Sequence, residues 1–177
     1  IITLVIVFAV IFAVVIIGVI GYNASVEKVT IPNTEISVNA PSDLYIYDTK
    51  EKITKKFGSD YAEYYCFAVL DKDNKVEVYA STISKKEIDP SYDTLDKVAA
   101  KDKAYADSNY DDVTEVLSKK IGKTEFKYYT YTYGNEEERY IGNLYVADAG
   151  DVYLFIDCYA DLGDQSEIDS AMKTLFK

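Results

Sequence analysis

The side chains in this chain that could do chemistry are carboxylates, tyrosines and two cysteines, because the sequence contains no histidine. Without imidazole, histidine-based triads, histidine acid–base catalysis and the common catalytic zinc sites are excluded. The sequence also lacks the glycine-rich phosphate-binding loops and the G-x-S-x-G nucleophile elbow. Its 30 Asp and Glu residues remain compatible with a hydrolase that uses two carboxylates. We expect no catalytic residue and no cofactor, and this hydrolase is the alternative.

Six of the 18 tyrosines lie in one segment, FKYYTYTYGNEEERYIGNLYV, at residues 126–146. The alternation on both sides of GNEE predicts a β-hairpin, because strand side chains point alternately to the two faces. An even-numbered loop that pairs Tyr131 with Tyr140 would place Tyr129 and Tyr133 on the same face as that pair. Tyrosine is enriched where proteins meet partners, so these four side chains form a candidate recognition surface. The alternative is that they fill a core through cross-strand aromatic pairs.

The two cysteines, Cys66 and Cys158, each lie in a strand-like apolar run, AEYYCFAVL and DVYLFIDCYA. Two cysteines are too few for a disulfide scaffold. An oxidising location would permit a disulfide between them, which would contribute about 4 kcal/mol by chain entropy for a loop of this length. The alternative is two small buried apolar side chains.

Of the metals, calcium is the one whose known binding loop the sequence partly matches. The segment DSNYDD places Asp107, Asn109 and Asp111 at alternating positions, as an EF-hand loop begins. Asp112 stands at the sixth position, where that loop needs glycine, and Ser118 at the twelfth, where it needs a bidentate glutamate. We therefore predict no metal site.

The first 22 residues, IITLVIVFAVIFAVVIIGVIGY, carry no charge. As a helix they span roughly 33 Å, enough for a hydrocarbon core of about 30 Å. The run is longer than a signal-peptide core, and GYNAS after it is a poor cleavage site. Residues 1–22 are predicted to be a transmembrane anchor in the lipid bilayer, with a cleaved signal as the alternative. No cluster of lysine or arginine follows, which favours an extracytoplasmic position for the rest of the chain, with a cytoplasm-facing adaptor as the alternative.

All 30 acidic and 19 basic residues follow this apolar run, so the remainder carries the net charge of −11. Such a surface repels nucleic acid and anionic lipid headgroups, because phosphate binding needs clustered lysine and arginine. Short lysine groups such as Lys119 and Lys120 are interrupted by acids and are typical of solvated surface. We expect no nucleic-acid partner.

Residues 23–33 are predicted to be a polar linker, and residues 34–177 a single soluble domain of ordinary size. Its predicted elements are two strands around APSD, a short helix ending at Gly58, a hairpin around DKDN, the long helix DTLDKVAAKDKAYADSN, four successive strands from Val113, and a closing helix after DQSE. Glycine-containing turns between the last four strands predict antiparallel connections. The fold class is therefore α+β, with a mostly antiparallel sheet flanked by helices.

The order of these elements resembles the PsbP/Mog1-like α/β/α sandwich family, which includes small membrane-anchored PsbP-like proteins of archaea and bacteria. The resemblance covers about residues 34–177. It is carried by the strand pair ending near APSD, the helix of DPSYDTLDKVAAKD, the strands from SNYDDVTEVLSKKIGKTEFKYYTYTY onward and the closing helix EIDSAMKTLF. It implies a non-enzymatic accessory or binding domain, with no catalytic residue to carry over.

These observations together predict a single-pass membrane protein that presents an acidic α+β domain outside the cell. The domain is expected to work as a binding or accessory module for a protein or cell-surface partner.

Overall fold

A computed structural model describes residues 26–73, 75–135 and 137–177 of the chain. The strands in these ranges are β1 (Glu27–Thr30), β2 (Ser37–Ala40), β3 (Leu44–Tyr47), β4 (Phe67–Asp71), β5 (Val76–Ser84), β6 (Leu117–Ile121), β7 (Thr124–Gly134), β8 (Arg139–Asp148) and β9 (Val152–Asp161). The helices are α1 (Lys50–Phe57), α2 (Ser59–Tyr64), α3 (Leu95–Asn109) and α4 (Gln165–Leu175). The predicted transmembrane anchor, residues 1–22, lies outside the described residues. Within the described ranges, no helix is both long enough and apolar enough to cross a membrane.

Seven of the strands form one sheet in the order β3-β4-β5-β9-β8-β7-β6, and every neighbouring pair is antiparallel. Strands β1 and β2 form a separate two-stranded sheet. The predicted α+β class with a mostly antiparallel sheet flanked by helices is therefore confirmed.

In the tyrosine hairpin, which consists of β7 and β8, the side chains lie on the two faces as predicted, but the register of the two strands differs. Tyr131 lies opposite Gly142, and Tyr133 lies opposite Tyr140, a shift of two residues from the predicted pairing. A Cβ atom at Gly142 would collide with the ring of Tyr131. The ring of Tyr131 therefore occupies space that only glycine leaves open, and this close approach favours the observed register.

One face of the large sheet packs against α4 and the small β1–β2 sheet. We call the buried side chains on this side the α4 layer. Its largest fully buried members are Ile31, Val38, Phe67, Phe126, Tyr145, Leu154, Ile156, Ile168, Met172 and Leu175. Most of these side chains are aliphatic or phenyl groups, so this layer is the main apolar core of the domain.

The opposite face of the sheet carries α1, α2 and α3. We call the buried cluster beneath α3 the α3 layer. It consists of Val98, Ala99, Ala106, Tyr129, Tyr131, Leu144, Val146, Tyr153 and Phe155. Several tyrosine hydroxyls are thus placed inside the protein, where each favours a polar partner.

Two predicted boundaries are wrong. Strand β1 and the buried Ile31 fall within residues 23–33, which were predicted to be a linker, so the folded domain already begins at Glu27. The helix α2 occupies Ser59–Tyr64, where a strand was predicted. Tyr61 favours a strand by propensity, but from this helix it packs against Tyr79 of the sheet, and such tertiary packing decides the local structure.

The cysteines are both free, so the predicted alternative of a disulfide between Cys66 and Cys158 is wrong. Cys158 lies opposite Val78, which lies opposite Val69. Cys66 is therefore two strands away and three residues further along, a Cα separation of roughly 14 Å from strand spacing and rise. A disulfide requires less than about 7 Å.

Candidate functional site

A pocket of about 380 Å³ opens on the helix-covered face of the sheet, between α2, the sheet and the residue that follows α3. We call it the tyrosine pocket. It is lined by Asp60, Tyr61, Tyr64, Tyr65, Glu77, Tyr79, Tyr110, Tyr133 and Tyr159. Seven of these nine residues are tyrosines, and no lysine or arginine in the described part of the chain lines the pocket.

The rim of the tyrosine pocket is set by the turn between α1 and α2. Gly58 has a φ of 102°, a backbone conformation that favours glycine, and it both ends α1 and begins α2. This sharp junction brings Tyr61 to 5.5 Å from Tyr79, measured between ring centroids. Tyr61 and Tyr64 keep 43% and 75% of their surface exposed, so they form the accessible edge of the pocket.

The floor of the pocket is made by rings from the sheet. Tyr133 packs edge-on against Tyr159, with ring centroids 5.6 Å apart, and stacks on Tyr140 at 5.2 Å. Tyr110, which caps α3, stacks on Tyr131 at 4.3 Å. These contacts fix the rings, so the pocket is largely formed before any ligand binds.

The charge in the tyrosine pocket comes from its two carboxylates. The hydroxyl of Tyr79 donates to Glu77 at 2.7 Å, and burial, helped by this carboxylate, raises the pKa of Tyr79. Burial also raises the pKa of Tyr133 to about 12. These two phenols are therefore neutral at pH 7, and Glu77 and Asp60 supply negative charge beside the electron-rich ring faces.

A second cavity, of about 300 Å³, lies beside α3. We call it the aspartate cavity. Its lining includes two carboxylates, Asp102 of α3 and Asp157 of β9, together with the apolar side chains Ile88, Leu144 and Phe155. The two aspartates come from distant parts of the sequence and meet because β9 lies at the centre of the sheet, under α3.

Both aspartates have a tyrosine partner and a raised pKa. Tyr129 donates to Asp102 at 2.6 Å, and Tyr65 donates to Asp157 at 3.5 Å. Burial, reinforced by the charge of Asp102, raises the pKa of Asp157 to about 7. Burial also raises the pKa of Asp102. Because Tyr65 lines the tyrosine pocket, Asp157 stands directly behind the wall that separates the two cavities.

The predicted recognition surface is only partly accessible. Tyr129 and Tyr131 are each 2% exposed beneath α3, so the prediction that they belong to an open surface is wrong. Tyr133 and Tyr140 are partly exposed, and Tyr133 lines the tyrosine pocket. The hairpin therefore serves mainly as core, and one end of it contributes to a site.

The tyrosines that α2 brings to the pocket were not among the predicted site residues. Tyr61, Tyr64 and Tyr65 are spaced at i, i+3 and i+4, which places them on one face of a helix. This spacing in SDYAEYY was the signal that could have identified both the helix and its role. Asp102 and Asp157 carried no such signal, because their proximity is created by the tertiary fold.

Metal binding has no evident site in the ranges that the structure describes. No group of three or more histidine, cysteine, aspartate or glutamate side chains there is placed to hold an ion. Asp107 instead accepts from Lys103, and the side-chain amide of Asn109 donates to the carbonyl of Tyr105. The sequence prediction of no metal stays a prediction.

Comparison with known proteins relates this chain to others through its fold. No protein-family model and no curated protein sequence matches it. Among solved structures, cyanobacterial PsbP (CyanoP) from Synechocystis aligns with a TM-score of 0.50 and 12% identity, covering 86% of this chain and 89% of that one. A Bacteroides thetaiotaomicron protein aligns with a TM-score of 0.48 and 16% identity, and LpqN of Mycobacterium tuberculosis, involved in cell envelope biogenesis, with 0.46 and 9%.

The share of each chain that the alignment covers differs among these structures. The alignment with the Bacteroides protein covers 77% of this chain but only 41% of that one, whereas LpqN is covered over 87% of its length and 85% of this chain. The chain has a PsbP-like α/β fold, as the order of its elements predicted.

Proposed function

We propose that this chain is a membrane-anchored, extracytoplasmic binding or accessory domain without catalytic activity, and that its ligand presents a cationic group to the tyrosine pocket. The observation that carries the proposal is the pocket lining: seven tyrosines and two carboxylates, with no lysine or arginine among the described lining residues. Aromatic rings attract cations through the negative charge density on their faces, and sets of such rings recognise quaternary ammonium groups.

The composition of the pocket favours a soft cation over other ligands. Each ring face contributes about 0.5–2 kcal/mol to binding a cation, with the larger values where water is excluded. Asp60 and Glu77 add attraction at the rim, and Asp157 adds it from behind when ionised. An anionic ligand would meet all three carboxylates without a compensating cation, so the pocket disfavours it.

The location of the domain rests on the sequence. Residues 1–22 are long and apolar enough to span a bilayer, and no run of lysine or arginine follows them directly in the sequence. Protease added to intact cells should degrade the domain if it is outside. Protection until the cells are lysed would instead favour the alternative, a cytoplasm-facing adaptor.

The cation proposal is tested by titrating the full chain, in dodecyl maltoside micelles, with choline and with its uncharged isostere 3,3-dimethylbutan-1-ol. Tyrosine ring resonances report binding. We expect choline to shift the signals of Tyr61 and Tyr133 at millimolar concentration and the alcohol to bind about tenfold more weakly, because it lacks the charge. Equal binding of the two compounds would reject the cationic ligand.

The variant for this test is Glu77→Gln, which removes one charge from the pocket and keeps a side-chain oxygen to accept from Tyr79. Its matched control is Glu63→Gln, which removes the same charge from exposed α2 surface outside the pocket lining. Glu77→Gln should weaken choline several-fold, by roughly 1 kcal/mol, and Glu63→Gln should leave it unchanged.

The second candidate function is a carboxylate-based hydrolase, and the observation that favours it is the aspartate cavity. Asp102 and Asp157 line one cavity, and a carboxyl group with a pKa near 7 suits a general acid. The test is hydrolysis of a panel of p-nitrophenyl glycosides. Activity that disappears in Asp157→Asn, but persists in the exposed-site variant Asp161→Asn, would establish the enzyme and overturn the non-catalytic proposal.

A further inference from the structure

A groove of about 960 Å³ lies on the other side of the molecule, between the β1–β2 sheet, the edge strand β6 and α4. We call it the lysine groove. Five lysines from three parts of the chain line it: Lys28, Lys119, Lys120, Lys173 and Lys177. Its other polar lining includes Asn39, Ser166, Ser170 and Thr174.

The charge of the lysine groove is opposite to that of the protein. Its five lysines and its one acid, Asp169, leave the lining side chains a formal charge of +4, whereas the whole chain carries −11. Lys119 pairs with Asp169 at 2.7 Å. The other four lysines form no ion pair with any residue that the structure describes. Clustered like charges repel one another, so an anion bound among these lysines would stabilise the arrangement.

The walls of the groove are held together by hydrogen bonds and close packing within the protein. The side-chain amide of Asn39, on β2, donates to the carbonyls of Thr174 and Lys177, at 3.3 Å each. On the other wall, Gly122 has a φ of 58°, and a Cβ atom there would collide with the carbonyl oxygen of Phe176. The β6–β7 turn thus packs directly on the end of α4, and the lysines project from a fixed frame.

A simpler explanation covers only part of the cluster. Strand β6 is an edge of the large sheet, and lysines on an edge strand prevent pairing with another chain. This accounts for Lys119 and Lys120. It also covers Lys28, because both strands of the two-stranded β1–β2 sheet are edges. It does not account for Lys173, which lies on α4 and converges on the same groove.

The position of the groove identifies its partner. Val26 and Lys28 line it, and Val26 follows the apolar segment 1–22 by four residues, which span at most about 14 Å. If residues 1–22 cross a bilayer, the lysine groove lies at the depth of the headgroups. At an anionic membrane surface, each lysine or arginine near the headgroups contributes about 1 kcal/mol to lipid binding.

We propose that the lysine groove binds the phosphate headgroups of anionic membrane phospholipids and holds the domain against the bilayer. This inference rests on the membrane anchor of the proposed function. It corrects the expectation that the acidic surface repels such headgroups, because the positive charge is gathered on one side of the domain. The tyrosine pocket lies on the opposite face of the sheet and so faces away from the headgroups.

The test uses the full chain in nanodiscs of phosphatidylcholine alone or with 30% phosphatidylglycerol, and acetylation of each lysine measured by mass spectrometry. We expect Lys28, Lys120 and Lys173 to react about fivefold more slowly in the anionic discs, while Lys55 and Lys56 on α1 react equally in both. High salt, at about 0.5 M, should abolish the difference, because it screens exposed charges. Equal rates for the groove lysines would overturn the proposal.

A control with inorganic phosphate distinguishes binding of a lipid headgroup from binding of free phosphate. Inorganic phosphate at millimolar concentration, added to the phosphatidylcholine discs, should leave the lysine rates unchanged. Equal protection by free phosphate would overturn the assignment to lipid. The double variant Lys120→Ala, Lys173→Ala should abolish the protection of Lys28, whereas the matched variant Lys55→Ala, Lys56→Ala should preserve it. Protection of Lys28 that survives the first variant would also overturn the proposal.

Failure of the membrane anchor has a different signature. A chain that does not bind bilayers would elute separately from the nanodiscs in both lipid mixtures. A chain that co-elutes, but shows no lysine protection in anionic discs, retains its anchor and lacks the proposed headgroup site.

Discussion

The two faces of the large sheet are lined by different kinds of side chain. The α4 layer is mostly aliphatic and phenyl groups, and its buried polar groups include the amide of Asn143, which donates to the hydroxyl of Tyr145 at 3.1 Å. The opposite face carries tyrosines, and two carboxylates lie among them beside α3. Burying carboxylates costs free energy that an apolar core does not lose. The difference indicates that the α4 layer stabilises the fold, whereas the opposite face gives up stability by holding polar groups.

The strongest test of this comparison truncates one ring on each side. Phe126 is fully buried in the α4 layer, with its ring 5.1 Å from Phe176, whereas Tyr133 is partly exposed in the tyrosine pocket. Phe126→Ala should lower the free energy of unfolding by about 3–5 kcal/mol, and Tyr133→Ala by about 1–2, because the second leaves less of a cavity. Urea denaturation measures both values. Equal losses would mean that the two faces contribute alike.

A smaller effect, of opposite sign, is expected from Asp157. Burial raises its pKa from 3.8 to about 7, so between these values the folded protein holds a proton that the unfolded chain has released. Its contribution to stability is therefore highest at low pH and is lost as the pH rises through 7. Asp157→Asn should raise the free energy of unfolding by up to about 4 kcal/mol at pH 8, the full cost of the shift in pKa, and change it little at pH 4.

The matched control for this variant is Asp161→Asn, at an exposed position on the same strand. Some pH dependence should survive in Asp157→Asn, because the pKa of Asp102 is raised as well. Urea denaturation of all three proteins across pH 4–8 gives the slopes. An unchanged slope in Asp157→Asn would mean that the carboxyl is well solvated and that this face loses nothing by containing it.

The smallest expected change in stability comes from reducing agent, because no disulfide links the strands of the α4 layer. Cys158 is fully buried in that layer, and Cys66 contacts the carbonyl of Ala80 through its thiol. Burial raises the pKa of both thiols, which slows their reaction. Dithiothreitol should leave the Tm unchanged within about 1 °C, since no disulfide contributes to stability. A fall of several degrees would reveal a bridge and contradict the separation of the two strands.

Sequence patterns predicted local structure better than they predicted the sites. The alternation in the tyrosine hairpin assigned its two faces correctly, because one strand period determines them. The register was missed, because the close approach of Tyr131 to Gly142 depends on both strands. Strand β1 was missed because EKVT has little apolar pattern, and its partner and Ile31 decide its structure.

Both candidate sites depend on residues that are distant in the sequence. The tyrosine pocket joins α2 to β5, β7 and β9, and the lysine groove joins β1, β6 and α4. No local spacing relates Lys28 to Lys173, or Asp102 to Asp157. The net charge of −11 could not reveal the lysine groove, because a total over the whole chain hides a local positive charge.

The pairing of β5 with β9 has a consequence for the newly made chain. Strand β9 lies between β5 and β8 in the sheet. One edge of the β3–β5 half-sheet therefore stays unpaired until residues 85–151, and then β9 itself, have been synthesised. At ribosomal speeds of about 5–20 residues per second, this delay is several seconds, far longer than the microseconds in which a hairpin closes. The unfinished sheet therefore presents an open edge, and chaperone protection during translation should matter most in this interval.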